Sequence, residues 1–567
     1  MRTSAGAQIG GHRRPAGAGR RGRPQPPRLR TLAAALLSSV GACLGAGVGA
    51  GAGGCGGEPA QTQAAADLGA DAGPEMPPID PCTGVPSTGK CLDPQTLGAC
   101  SPDSGGVLRL MKTACAAGEI CTTDGFGALC QLNAACRDGS SRCSSASLLE
   151  VCTGGTWQRR PCSSGLTCQA FVGAGASCIA TGTAITIAGR LRYQYRVPNS
   201  TYSGYQSQPA TADAAGAFVL VVDGSEVLGS GFTDSQGSFS LSAWRAPSTS
   251  GEVLFQPIAF RPDDSASLAV AAPFDGSTIS SAMSVWTYRV ASLPPPVADR
   301  IDIGTQLVTG ENAGALNIFS WAQKNISRAT GLFGDAPRNS LAILWRPGLD
   351  VFCGGCFLSR SSGGTVVGRL RLDTTITLSG SQASPLHWSS SVISHEIGHY
   401  IMDSYSRPPG EGGAHYLGMP SLPGLAFSEG FATFSGQASI SQVQGMLSPV
   451  YFTVQSGTAA WVDISRSLSS QGALPRPDPM GPLDQRLEEH IVSGILWDLW
   501  RGLTDAKLFP GLRSPRVLGL YNRGYTTVDL IDYADALSCS GAATNQLLDD
   551  TLRVKYGFPW DNKPLCP

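Results

Sequence analysis

Histidine is scarce in this chain, with six in 567 residues, and charge is sparse, with Asp, Glu, Lys and Arg together making up 15%. So few histidines make a regular spacing among them hard to ascribe to chance. A basic surface is lacking too: the formal net charge is −1, and residues 1–42 alone carry eight Arg and no acid, so the chain beyond them is acidic. That balance excludes nucleic acid as a partner. Past the first forty or so residues no stretch is long and apolar enough to span a bilayer. Gly and Pro, 72 and 39 residues, stay below the share that marks wholesale disorder but promise many loops.

The length calls for three or four domains rather than one core. Residues 1–42 start Arg-rich, continue uncharged from Thr31 to Val40 and end next to Cys43, which reads as an export signal. Val40-Gly41-Ala42-Cys43 resembles the bacterial lipobox. The resemblance implies a lipid on Cys43, with Cys55 as a second candidate, and a secreted or outer-membrane, cell-surface lipoprotein of a bacterium; an ordinary signal peptide or an uncleaved anchor stays open. Residues 43–81, rich in Ala, Gly, Pro and Gln, read as a flexible linker.

Twelve of the eighteen cysteines fall in residues 82–178, as two sets of six: Cys82, Cys91, Cys100, Cys115, Cys121, Cys130 and Cys136, Cys143, Cys152, Cys162, Cys168, Cys178. The second-to-third interval is nine in both sets and the fourth-to-fifth is six, so this is an internal repeat. Each unit is too short for a hydrophobic core and should rest on three disulfides, whose connectivity the spacing leaves open. Neither Cys-x-x-Cys nor histidine occurs here, against a zinc knuckle. Trp157 and the Leu-Leu-Glu-Val run before Cys152 offer a face for glycan or cell-wall polymer; a rigid spacer fits equally well.

From Thr183 the periodicity is two. Leu191, Tyr193, Tyr195 and Val197 alternate with polar residues, and further strands are expected at Ala217–Val222, Gly237–Trp244 and Glu252–Phe260. Residues 183–275 therefore read as a β-sandwich accessory domain. The run from Val227 to Leu241 resembles transthyretin-like or carboxypeptidase-regulatory-like modules, which implies no chemistry of its own. Ser292-Leu293-Pro294-Pro295-Pro296 is a stiff boundary. Residues 290–567 then show a helical stripe (Leu316, Phe319, Ala322, Ile326, Ala329), an apolar strand at Ser340–Trp345 and an alternating one at Val366–Leu378.

The next stretch, Ser391 to Tyr405, contains His395-Glu396-x-x-His399. Positions four apart share one helix face, so both imidazoles can meet one ion with Glu396 beside them. Tetrahedral zinc would need one more protein ligand and a water molecule, whose proton Glu396 could take. The metzincin continuation is absent, since Met402 and Tyr405 occupy its positions. A carboxylate on a following helix can complete the set, and Glu429, in Leu-Ala-Phe-Ser-Glu-Gly-Phe-Ala-Thr-Phe, is the candidate; Gly430 beside it would let that helix approach closely. His415 competes as third ligand, although a Gly-rich loop holds a ligand poorly. His387 should pack beside Trp388, Asp403 could orient a ligand or cap a turn, and Tyr400, Tyr405 and Tyr416 are possible phenolic donors.

The Glu429 segment resembles the Glu-Gly-Phe-Ala segment of aminopeptidase-N-like enzymes and the Glu-Gly-Trp segment of fungalysins. With the His-Glu helix, it is similar to the gluzincin metallopeptidases over residues 300 to about 510. His490-Ile491-Val492-Ser493-Gly494-Ile495 looks like the thermolysin-type helix start, which implies that His490 binds the tetrahedral oxyanion. A Gly-x-Met-Glu-Asn exopeptidase signature is absent, which favours an endopeptidase. With the readings above, the expected fold is multidomain: disulfide-rich repeats and an all-β sandwich followed by what the resemblance implies, an α+β zincin-like domain with a mainly helical C-terminal part. The resemblance also implies an exported zinc peptidase with His395, His399 and Glu429 on the metal and Glu396 and His490 catalytic. An adhesin or wall-binding protein with a relict peptidase domain, and a zinc amidase acting on peptidoglycan, are the alternatives. Cys353-Gly-Gly-Cys356 and the Cys539, Cys566 pair read as structural disulfides.

Overall fold

The computed structural model describes residues 90–566 except 103–107, 116–118, 125–126, 133–135, 137–139, 181, 225, 246–249, 262–265, 274–282, 294–297, 359–364, 368–369, 407–410, 412–414, 416–417, 467–486 and 523–527. The export signal, both candidate lipidation cysteines, the linker, Cys82 and Tyr416 lie outside the described residues. The rest is mixed α and β, with many small sheets and several disulfides. Among the described residues no helix is long and apolar enough to cross a membrane.

In the cysteine-rich part, short antiparallel strands are stapled at their faces. The second repeat pairs Cys136 with Cys152, Cys143 with Cys168 and Cys162 with Cys178, so its order is first to third, second to fifth, fourth to sixth. Cys91–Cys121 repeats the second-to-fifth bond in the first unit. Glu150, only 4% exposed, takes the guanidinium groups of Arg142 and Arg159, and Arg142 lies over the Trp157 ring at 4.3 Å. A buried acid between two cations is what lets a charged residue sit inside so small a unit.

Strand β1 (Thr183–Tyr195) pairs antiparallel with Ala210–Asp213 and Ser238–Arg245, and parallel with β2 (Arg300–Val308). The strand expected over Glu252–Phe260 is broken at Pro257, which has no N–H to give a ladder. Its first part, Gly251–Gln256, lies between Phe218–Asp223 and Tyr288–Leu293, and its last part, Ile258–Phe260, joins a different sheet. That sheet runs in the order Ile258–Phe260, Ala266–Ala272, Leu341–Leu344, Thr374–Leu378, Gly355–Leu358. Strands β1 and β2, and likewise Ala266–Ala272 and Leu341–Leu344, are parallel pairs, so sheets cross the boundary drawn between 275 and 290. One cluster of buried apolar side chains, with members from Ile185 to Tyr405, extends across it.

After β2 comes α1 (Gly314–Phe333), ended by Gly334 at φ 80°, then β3 (Leu341–Leu344), β4 (Gly355–Leu358) and β5 (Thr374–Leu378). The alternating stretch Val366–Leu378 is not one strand. It turns at Asp373, whose carboxylate binds the N–H and hydroxyl of Ser340, and only β5 enters the large sheet. Helix α2 (Ser390–Tyr405) follows, capped by the Ser389 hydroxyl on the Val392 N–H, and then α3 (Pro423–Gln444), started by a proline that needs no N–H there. Every residue from Gly424 to Ser441 is buried. A helix without a wet face is an interior helix, and its Ala, Gly and Ser content lets neighbours close in from all sides. The hairpin of β6 (Val450–Gln455) and β7 (Thr458–Asp463) leads on toward α4 (Glu489–Leu503) and shorter helical segments, which pack Trp497, Phe509 and Tyr533, joined by Trp560 beyond the last helical segment, into one cluster with Phe427, Phe431 and Phe434 of α3. Cys539–Cys566 closes this helical part.

The tightest helix contact is between α2 and α3. A Cβ on Gly398 would come 2.7 Å from the Ala432 Cα. Gly398→Ala should therefore cost about 1–3 kcal/mol, read as a lower denaturant midpoint with an unchanged slope.

Candidate metal centre

Helix α2 brings His395 and His399 onto one face, with Nε2 atoms 3.2 Å apart and ring planes nearly perpendicular. Glu429 of α3 reaches both: its Oε2 lies 3.2 Å from His395 Nε2 and 3.1 Å from His399 Nε2. Both helices are fixed by the Gly398 contact, so the three ligand atoms converge because of backbone packing rather than loop closure. Gly430 contributes differently from the expectation. Its missing side chain makes room for Val492 of α4, and Gly398 is what lets α2 and α3 approach.

The far side of each imidazole is also held. His395 Nδ1 is 2.9 Å from the Thr433 hydroxyl and His399 Nδ1 is 3.3 Å from the Ser428 hydroxyl. With Nδ1–H donating to a hydroxyl, each ring offers a bare Nε2 lone pair to the cluster. Until an ion binds, protons can occupy the Nε2 positions instead: burial works to raise the Glu429 carboxyl, but His399 and His415 beside it and hydrogen bonds from His395 and His399 hold it well below the usual range. An ion replacing those protons would meet two neutral nitrogens and a carboxylate. Their spacing, 3.1–3.2 Å, approaches the roughly 3.3 Å between ligands in a tetrahedral site with bonds near 2.0 Å. The residues fit zinc.

Glu396, 5% exposed, points to the opposite wall, formed by β4. A Cβ on Gly355 would stand 2.6 Å from Glu396 Oε1, so any larger residue there would push the carboxylate out of its present position. The Cys353–Cys356 disulfide bridges the turn into β4, and Phe357 stacks at 6.1 Å from the His399 ring. Burial pushes the Glu396 carboxyl up to about 7, with His395 opposing and Glu429 adding to the rise.

Tyr451 completes the site from the hairpin. Ser389 Oγ donates to the Phe452 carbonyl and Ser391 Oγ accepts from the Phe452 N–H, which ties β6 across the start of α2. One residue earlier, Tyr451 has its ring 6.0 Å from that of His395, edge on. Burial, and then the charges of Glu396, Glu489 and Glu429, push its phenol up, so it stays a donor.

The other expected residues have partners of their own. His490 is 2% exposed, and its Nε2 lies 2.7 Å from the Arg466 carbonyl, to which it must donate. Tyr400 and Tyr405 donate to the carbonyls of Asn339 and Asp335, away from the cluster. Asp403 accepts from Asn339. His387 packs between Trp345 and Trp388 with Nε2 3.0 Å from Glu311. His415, in contrast, comes within 3.3 Å of Glu429 Oε2.

No protein-family model matches the chain, and no curated protein matches it either. The site therefore stands on its own geometry. Thr433→Ala should loosen the His395 ring and weaken zinc binding about 10–100-fold, measured by competition with a chromophoric chelator.

Proposed function

We propose that the chain is an exported zinc-dependent peptidase that hydrolyses peptide bonds, and that the zincin-like arrangement expected for residues 290–567 is its catalytic part. The observation that carries this is the meeting of His395, His399 and Glu429 at one point with Glu396 on the same helix as both imidazoles. Zinc held by those three residues supplies a Lewis acid, able to polarise a carbonyl and to acidify a water molecule beside it. Glu396, kept in place by β4, takes the proton from the attacking water and later gives it to the leaving amine. Tyr451 is placed to donate a hydrogen bond to the oxyanion that develops on the former carbonyl. It takes the role that the resemblance gave to His490, whose Nε2–H already serves the Arg466 carbonyl.

The substrate backbone has a docking edge as well. Strand β4 ends the large sheet among the described strands, pairing antiparallel with β5 on one side only. An extended peptide added to its other side would gain main-chain hydrogen bonds, with its side chains alternating toward and away from the site. Edge recognition of this kind suits the interior of a polypeptide, as expected for an endopeptidase.

Glu396→Gln should retain zinc and lower kcat on a quenched fluorescent casein peptide by about 10²–10⁴-fold; near-normal turnover would reject the mechanism, and turnover of purified peptidoglycan alone would point to the amidase. Tyr451→Phe should lower kcat by about 10²–10³-fold with little change in KM, read from the same assay.

A further inference from the structure

The hydrolytic chemistry leaves one buried acid unused. Glu489, the first residue of α4, is 6% exposed, and among the described residues its carboxylate meets neither a hydrogen-bond donor nor a cation in an ion pair. A carboxylate withdrawn from water is costly unless a proton or a cation joins it. Its oxygen lies in a second group of ligand atoms, with His415 and Glu429, all within 4.8 Å of one another. Glu429 is common to this group and to the His395, His399, Glu429 group. The same oxygen, Glu429 Oε2, lies 3.3 Å from His415 Nε2 and 3.1–3.2 Å from the two imidazoles of the first group; a carboxylate oxygen has two lone-pair directions, so this one oxygen can bridge two ions.

His415 is better held than its Gly-rich surroundings suggest. Before it, the Glu411 carboxylate accepts from the N–H groups of Gly424 and Leu425, capping α3. After it, the Gly418 N–H donates to Glu488 and the Ser421 N–H to the Leu487 carbonyl, next to the start of α4. Glu411 and Gly418, the described residues flanking His415, are thereby tied to α3 and to the start of α4. Glu429 and Glu489, from two different helices, and His415 from the segment before α3 thus present their ligand atoms to one another.

We propose that His415, Glu429 and Glu489 form a second divalent-cation position, bridged through Glu429 to the first. One nitrogen and two carboxylates, with water completing the shell, suit zinc, cobalt or manganese, and paired ions a few ångströms apart are a recurring hydrolytic arrangement. The proposal rests on the reading of the first trio as a metal site and adds a second ion to it.

The test is metal content. Full-length protein stripped with a chelator, equilibrated with zinc and freed of excess should carry two zinc ions per chain by mass spectrometry, and His415→Ala and Glu489→Gln should each carry one with unchanged circular dichroism. The His415 side chain is 38% exposed, so its removal leaves the core intact and the measurement readable even if Glu489→Gln fails to fold. One ion in the wild type overturns the second site and leaves the first standing; none overturns both. Two ions retained in folded His415→Ala place the second ion elsewhere and overturn the assignment. One ion in the wild type, with KM raised by Glu489→Gln only for peptides with a free amino terminus and not for acetylated ones, overturns it in favour of an α-ammonium group of the substrate.

Discussion

The distance between two helix axes governs this molecule. Where Gly398 meets Ala432, backbone touches backbone, and that contact sets how far a carboxylate on α3 stands from a pair of imidazoles on α2. A methyl group there would separate the donors by an appreciable part of a metal–ligand bond. The hydroxyls of Ser428 and Thr433 lie on the same α3 surface as Glu429 and reach the outer nitrogens of the same two rings. One helix thus supplies a ligand and both of the groups that aim the other ligands.

Such close work needs an interior that does not yield. Helix α3 is buried along eighteen consecutive residues, Gly424 to Ser441, and its aromatic side interlocks with Trp500 and Phe509. A packed interior transmits strain rather than absorbing it, so the donor geometry is supported from behind by the whole C-terminal helical cluster. On the open side the support is different in kind. A strand edge entered through a disulfide-bridged turn and a hairpin tied by two serine hydroxyls bring Gly355 and Phe357, and then Tyr451, to the site from two separate places in the chain.

What could be read in the sequence follows from how local each signal is. Two histidines four apart on a helix announce their common face, and Glu429 is visible through its Glu-Gly-Phe-Ala neighbours. Ser428 and Thr433 are not visible, because small polar residues in a buried helix look like packing until a partner helix is known. Tyr451 lies 52 positions beyond His399, and only the fold joins them. Glu489 is not legible beside His490, because nothing in the local sequence distinguishes a buried acid at a helix start from an ordinary first-turn glutamate. The strands themselves were largely legible from alternation. Their partners were not, because parallel pairing over a hundred residues leaves no local trace, and Pro257 and Asp373 each divide what alternation presents as one strand.

That long-range pairing bears on how the protein reaches its native state. Residues near 183–195 wait for 300–308, and 266–272 for 341–344, so the ribosome releases unsatisfied strand edges well before their complements emerge. Topology of this sort slows folding and exposes surfaces that self-associate. Dividing the chain between 275 and 290 to obtain a smaller fragment would make those edges permanent, and both halves should aggregate.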